Sequence, residues 1–278
     1  MSFHRFEDNA VKGFAPHLSS SQNHLIEGDY IYFNLNCKPA GTGSEPHYHP
    51  NELLVFCVAG RINALVGKER HVISPGTFIV VPPNARHSFK ATEEADCAYL
   101  YIKDHSWGLV GVAEDEAVPD EIMSVEKAHE LKDSGEWAGD KKSSGESGAI
   151  IEGLGSCFYE VLGSLEQPVG QCERRVVING ERIAFGLYEL PKGFEEASKQ
   201  SEHEIFIYML DGTMNAKVDG ESREVAYGDI VKIAKGADYV LQAGDKEGTR
   251  FAIVRSLPSL EEMVDNAPKV EAGAHNPR

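Results

Sequence analysis

From Tyr30 onward the chain is written in short apolar, β-branched runs that glycine and proline keep interrupting. Tyr30–Leu35, His47–Val58, Ile62–Val66, Val72–Ile73, Phe78–Val81, His87–Lys90 and Cys97–Ile102 are separated by Gly41, Gly60, Gly67, Pro75-Gly76 and Pro82-Pro83. Runs of this length, each ended by a residue that breaks a ladder or supplies a tight turn, predict the many short strands of a sandwich or barrel. Between about 103 and 150 the pattern changes. Pro119–Trp137 carries Ile122, Val125, Ala128 and Leu131 at helical spacing, and 139–148 is a polar connector rich in glycine and serine. Strand-like runs return at Phe158–Leu162, Arg174–Ile178, Ile183–Leu190 and Ile205–Leu210 and end near Arg255. A short acidic helix is expected around Ser259–Val264, followed by a polar tail.

The two β-rich halves repeat one another. An offset of 152, which carries Gly60 onto Gly212, also carries Pro39 onto Pro191, Gly41 onto Gly193, Glu52 onto Glu204, Asn63 onto Asn215 and Gly76 onto Gly228. No gap is needed from about Tyr30 to Ala91. Glycines recur where turns need positive φ, and apolar positions recur where the same strand faces are buried. The expected organisation is an N-terminal arm at 1–27, a first β-unit at 28–112, a helix-containing linker at 113–154, a second β-unit at 155–256, and a C-terminal helix and tail at 257–278.

A formal charge of −17 repels phosphate backbones and anionic membrane surfaces, and no Lys/Arg-rich run reverses it locally. Nucleic acid and membrane partners are therefore not expected. The N-terminus lacks a signal-like apolar segment and no stretch is long enough to span a bilayer, which makes a cytoplasmic protein the expectation. Five cysteines form no Cys-x-x-Cys pair and read as small buried hydrophobes.

The chemistry concentrates in His47-Tyr48-His49. Two histidines separated by one residue lie on the same face of a strand, and imidazoles so placed can share a metal ion. With Gly41 ahead and Gly60 behind, and with Gly76 through Pro82, Pro83, Asn84 and His87 following, the segment resembles the two motifs of the cupin superfamily, specifically its two-domain bicupins. Asn84 stands where the family has glycine. The family's glutamate ligand falls at Leu53, whereas this chain has Glu52. Strand parity turns Leu53, Val55 and Cys57 inward and Glu52 out, so Glu52 reaches a metal only if a bulge rotates it. In the second copy the ligand positions become Lys199, Ser201, Ile205 and Tyr239, which make no metal site.

The resemblance implies an all-β protein of two jelly-roll barrels in tandem, joined by a short helical linker. It implies one divalent metal per chain in the first barrel, held by His47, His49 and His87. Fe(II) is the first expectation, with Zn(II), Mn(II) or Ni(II) as alternatives. Similarity to three-histidine cupin dioxygenases of gentisate or β-diketones implies cleavage of a small aromatic or enolisable substrate. A Zn, Mn or Ni isomerase, lyase or hydrolase and a non-enzymatic ligand-binding protein are the alternatives. Leu53, Val55, Cys57 and Phe89 are the expected pocket residues, giving a largely apolar floor. The sequence singles out no general base, and homo-oligomerisation is left open.

Overall fold

The computed structural model describes residues 1–14, 18–109, 111–113 and 154–265. The helix expected within 119–137, the polar connector and the C-terminal tail lie outside the described residues. Four antiparallel sheets form two jelly-roll barrels in tandem. The first barrel joins a seven-stranded sheet, whose central strands are Leu53–Ala59, Cys97–Asp104 and Ile31–Lys38, to a five-stranded sheet containing His47–Tyr48, His87–Ala91 and Ile62–Val66. The second joins a six-stranded sheet centred on Ile205–Asp211, Thr249–Ser256 and Ile183–Leu190 to a four-stranded sheet.

The 152-residue offset runs through the whole architecture. Ile31–Lys38 corresponds to Ile183–Leu190, Leu53–Ala59 to Ile205–Asp211, and Cys97–Asp104 to Thr249–Ser256. Gly60 and Gly212 turn equivalent corners at φ of 67° and 69°, a left-handed conformation that glycine adopts without steric cost. The segments outside this register exchange partners. Phe3–Arg5 pairs with Asp229–Ile233 of the second barrel, and Phe158–Glu160 pairs with Thr77–Val81 of the first. Within 1–27, Gln22–Glu27 pairs along Ile31–Lys38 and so is part of the first barrel's large sheet. A short helix, Pro258–Asp265, closes the described chain.

The large sheets are buried on both faces, which explains why their central strands read as continuous apolar runs. Leu53, Val55 and Cys57 face the interior of the first barrel, packed with Ile62, Ala64 and Phe89. Leu54 and Phe56 face the other way, into a cluster shared with Phe185, Leu187, Phe206 and Tyr208 of the second barrel. Aromatic rings stack across this seam, Phe78 on Phe185 at 4.1 Å and Phe33 on Phe206 at 4.9 Å between centroids.

Two buried glutamates tie the barrels together reciprocally. The Glu52 carboxylate accepts hydrogen bonds from the amides of Glu181, Arg182 and Ile183 at 2.8, 3.0 and 3.2 Å. Glu204 does the same for Asp29, Tyr30 and Ile31 at 2.8, 2.9 and 3.0 Å. Outward parity of Glu52 is thus parity toward the partner barrel, where its oxygens satisfy backbone donors that would otherwise be buried unpaired.

Candidate metal centre

The histidines converge because two short strands pair edge to edge. His87 opens the strand His87–Ala91 and lies directly opposite His47 in antiparallel register. The turn before it, Pro82-Pro83-Asn84-Ala85, is closed by the Ala85 amide donating to Pro82, and the Asn84 amide donates to the carbonyl of His49 at 2.8 Å. Asn84 adopts φ of 59°, the left-handed region that asparagine tolerates better than most side chains; this is the place where the family motif has glycine. Ring centroids stand 4.4 Å apart for His47–His87, 4.7 Å for His49–His87 and 6.1 Å for His47–His49.

Each ring is oriented by its own backbone. Nδ1 of His47, His49 and His87 meets the carbonyl of Glu45, Asn51 and Ala85 at 2.7, 2.9 and 2.8 Å. A carbonyl only accepts, so each Nδ1 carries a proton, and in the neutral ring Nε2 is the nitrogen left with a lone pair. Nε2 of His49 and of His87 is buried with no hydrogen-bond partner. Burial holds both imidazoles well below the ordinary histidine pKa, and nearby positive charge adds to the effect. One ligand nitrogen from each of the three residues lies within 4.8 Å of the others. Oriented imidazoles converging on one point, those of His49 and His87 with unmet buried acceptors, are what a divalent ion requires, so the residues present fit such a group.

The structure brings His47, His49 and His87 together and leaves Glu52 out of the cluster, its carboxylate bound to the second barrel. A cavity of about 40 Å³ lies beside His47 and His87, and Phe89 lines it together with Tyr99, Tyr101, Lys38, Asn23 and Asn36. Leu53, Val55 and Cys57 pack in the hydrophobic cluster of the barrel interior and are not among the cavity's described lining residues. Asn23, Asn36 and Lys38 add polar groups to a wall otherwise built largely from Phe14, Phe89, Tyr99, Tyr101 and Leu109.

Two buried lysines escaped the sequence reading. Lys38 donates to Ser19 and Ser21 at 2.8 and 2.7 Å, and burial lowers its pKa to about 7. Lys103 is fully buried on the strand that carries Tyr99 and Tyr101. Parity gave a usable signal for Lys103, which follows those two tyrosines at i+4 and i+2 on the same strand face. Asn51 was also missed: fully buried, it donates to the carbonyls of Asp104 and Trp107 at 3.1 and 3.2 Å and so anchors the loop beside the site.

In the second barrel the equivalent places hold Lys199, Ser201 and Tyr239. Ser201 donates to the His203 carbonyl at 2.6 Å, and Lys199 lies over the Tyr239 ring. A more spacious hollow of about 390 Å³ opens there. Its Arg175 and Lys199 are already paired with Glu196, at 2.8 and 3.7 Å. Among the described residues, no histidine, cysteine or carboxylate cluster of ligand geometry occurs in that barrel, and no helix is long and apolar enough to cross a membrane.

Residues 35–103 match the family model of the cupin domain. A search of the curated proteins gave no match. Among solved structures, one of oxalate decarboxylase concerned with its substrate binding mode aligns at TM-score 0.62 and 14% identity, covering 92% of this chain and 77% of the other. Oxalate decarboxylase from Bacillus subtilis at pH 4.6 aligns at TM-score 0.61 and 13% identity, with coverage of 92% and 76%. A Bacillus subtilis oxalate decarboxylase structure concerned with its Mn(II) centres aligns at TM-score 0.60 and 15% identity, with coverage of 92% and 77%. With the duplicated jelly roll, the histidine triad and the motif match in agreement, residues 35–103 form a cupin domain, in a chain that shares the two-barrel fold of these structures.

Proposed function

We propose that the first barrel is the active site of a metal-dependent lyase that removes a carboxyl group from a short, oxygen-rich acid. The observation that carries this reading is the size and lining of the cavity beside His47 and His87. At about 40 Å³, with Lys38, Asn23 and Asn36 in its wall, it suits a molecule of a few heavy atoms and several oxygens. A protein cavity that admits a benzene ring is nearer to about 150 Å³. The small volume argues against the aromatic substrates that the resemblance implied.

A divalent ion at the triad supplies Lewis acidity, polarising the oxygens of a bound substrate. The chain's own residues supply the rest. The three imidazoles are locked by their carbonyl partners, and imidazole ligands, being neutral, would orient the ion without cancelling its charge. Tyr99, Tyr101 and Phe89 wall the cavity and restrict water. Lys38, with its pKa lowered by burial to about 7, is suited to hold or deliver a proton at neutral pH. The second barrel fills the equivalent place with Leu190, fully buried, so the fold itself does not require a lysine there. Mn(II) is the first metal to test, since the Bacillus subtilis oxalate decarboxylase that shares the fold has Mn(II) centres.

A second reading is an Fe(II) dioxygenase acting on a compact enolisable substrate, favoured by a triad of neutral imidazoles with no carboxylate in the cluster. The two separate in one assay. Protein loaded with Mn(II), Fe(II) or Zn(II) is offered short dicarboxylates, 2-oxo acids and small diketones while carbon dioxide and oxygen are followed together. Carbon dioxide release without net oxygen consumption is the expected result. Stoichiometric oxygen uptake with Fe(II), and no release without it, replaces the lyase by the dioxygenase.

A further inference from the structure

Lys103 has a feature that packing does not explain. It is 0% exposed, and its Nζ has no hydrogen-bond partner. The amine lies 5.4 Å from the centroid of the Tyr101 ring. The adjacent Asp104 is committed elsewhere, accepting from the amides of Glu52 and Ser106 at 2.6 and 2.7 Å and lying 3.4 Å from Arg182. Lys103 is not itself among the lining residues of the cavity beside His47 and His87, but it shares a strand face with Tyr99 and Tyr101, which are. A positive charge on its amine lowers the pKa of both His49 and His87, which places it near the triad. Burial without a partner also holds its pKa well below the ordinary lysine range.

Removing an amine from water without pairing it is costly, and a methionine of similar length would fill the same space without that cost. What an unpaired, desolvated amine can do is take up a proton together with an anion, which the resulting ammonium holds with up to three donors and little competing water. We propose that Lys103 is the anion-binding residue of this site, pairing with a carboxylate of the substrate while the substrate's other oxygens face the three histidines. The inference rests on the metal-dependent reading above and names its substrate class: a short acid with one carboxylate on Lys103 and a chelating pair of oxygens beyond it.

The test uses binding rather than turnover. Protein loaded with Zn(II), which is redox-inert, is titrated calorimetrically with oxalate and with oxamide, its uncharged isostere. In K103M, oxalate affinity should fall by roughly 30-fold or more while oxamide affinity and Zn(II) content stay at wild-type values. The melting temperature of K103M should rise, because an unpaired buried amine has been removed; a lysine kept for packing would give the opposite sign. K103Q is the second variant should K103M fold poorly. Wild-type oxalate affinity in either folded variant overturns the proposal, whatever the melting temperature. Zn(II) content is read separately. A wild-type protein that takes up no metal defeats the lyase reading, while the same oxalate and oxamide titration of metal-free protein still decides the role of Lys103.

Discussion

Glu52 was legible in the sequence as a residue of note, but its role was not. Its partners are backbone amides about 130 positions away, and no local pattern reports a tertiary acceptor. The three histidines were legible because ligand geometry here is built from strand alternation and one turn, both of which are local. The lysines were hard to read for the opposite reason: a lysine in a strand is ordinarily exposed, so only parity with Tyr99 and Tyr101 argued otherwise. Glu52→Gln should leave metal content unchanged and lower the unfolding free energy by about 1–3 kcal/mol, since an amide nitrogen then faces backbone N–H groups; urea denaturation with elemental analysis reads both. Lys38 yields a pH prediction. Its folded-state pKa, about 7, lies below the ordinary 10.5, so between those values the unfolded chain holds a proton that the folded protein has released. Stability therefore rises with pH across that window, and the full penalty is present below pH 7. K38M should reduce this rise in denaturation measured between pH 7 and 10; an unchanged slope would show that Lys38 is not held neutral.

At the scale of elements, the strands were readable from alternation and glycine turns, and the repeat extended further than the sequence comparison carried it. The exchanged strands Phe3–Arg5 and Phe158–Glu160 were not readable as strands in the other barrel's sheet, because three residues carry no periodicity and their partners are remote. The joints between barrels depend on two glycines at equivalent positions. A Cβ on Gly180 would fall on the Glu52 carboxylate, and one on Gly28 on that of Glu204. Neither carboxylate can retreat without giving up its amide hydrogen bonds. Gly28→Ala and Gly180→Ala should each destabilise by about 1–3 kcal/mol, comparable to losing those bonds. A melting temperature equal to wild type in both would show the joint to be slack.

For the whole molecule, the dominant feature is the apolar seam in which Phe56, Phe78 and Phe185 meet Phe33 and Phe206. Phe185→Ala should cost about 3–5 kcal/mol and lower the stability of both barrels together, seen as one cooperative transition at a reduced midpoint. Two separated transitions, with only the second barrel affected, would mean that the barrels fold independently. The seam also explains how the duplicated halves could diverge: the shared interface preserves the fold, while the interior of the first barrel carries histidines and lysines and that of the second is filled by Leu190, Ile205, Met209 and Tyr239.

The central claim is a metal-dependent site confined to the first barrel, and elemental analysis of purified wild type beside His49→Ala and Tyr239→Phe tests it most directly. About one divalent ion per chain is expected in wild type and in Tyr239→Phe, with background levels in His49→Ala. Metal retained in His49→Ala, or a wild-type protein that binds none after incubation with Mn(II), Fe(II) or Zn(II), would contradict it.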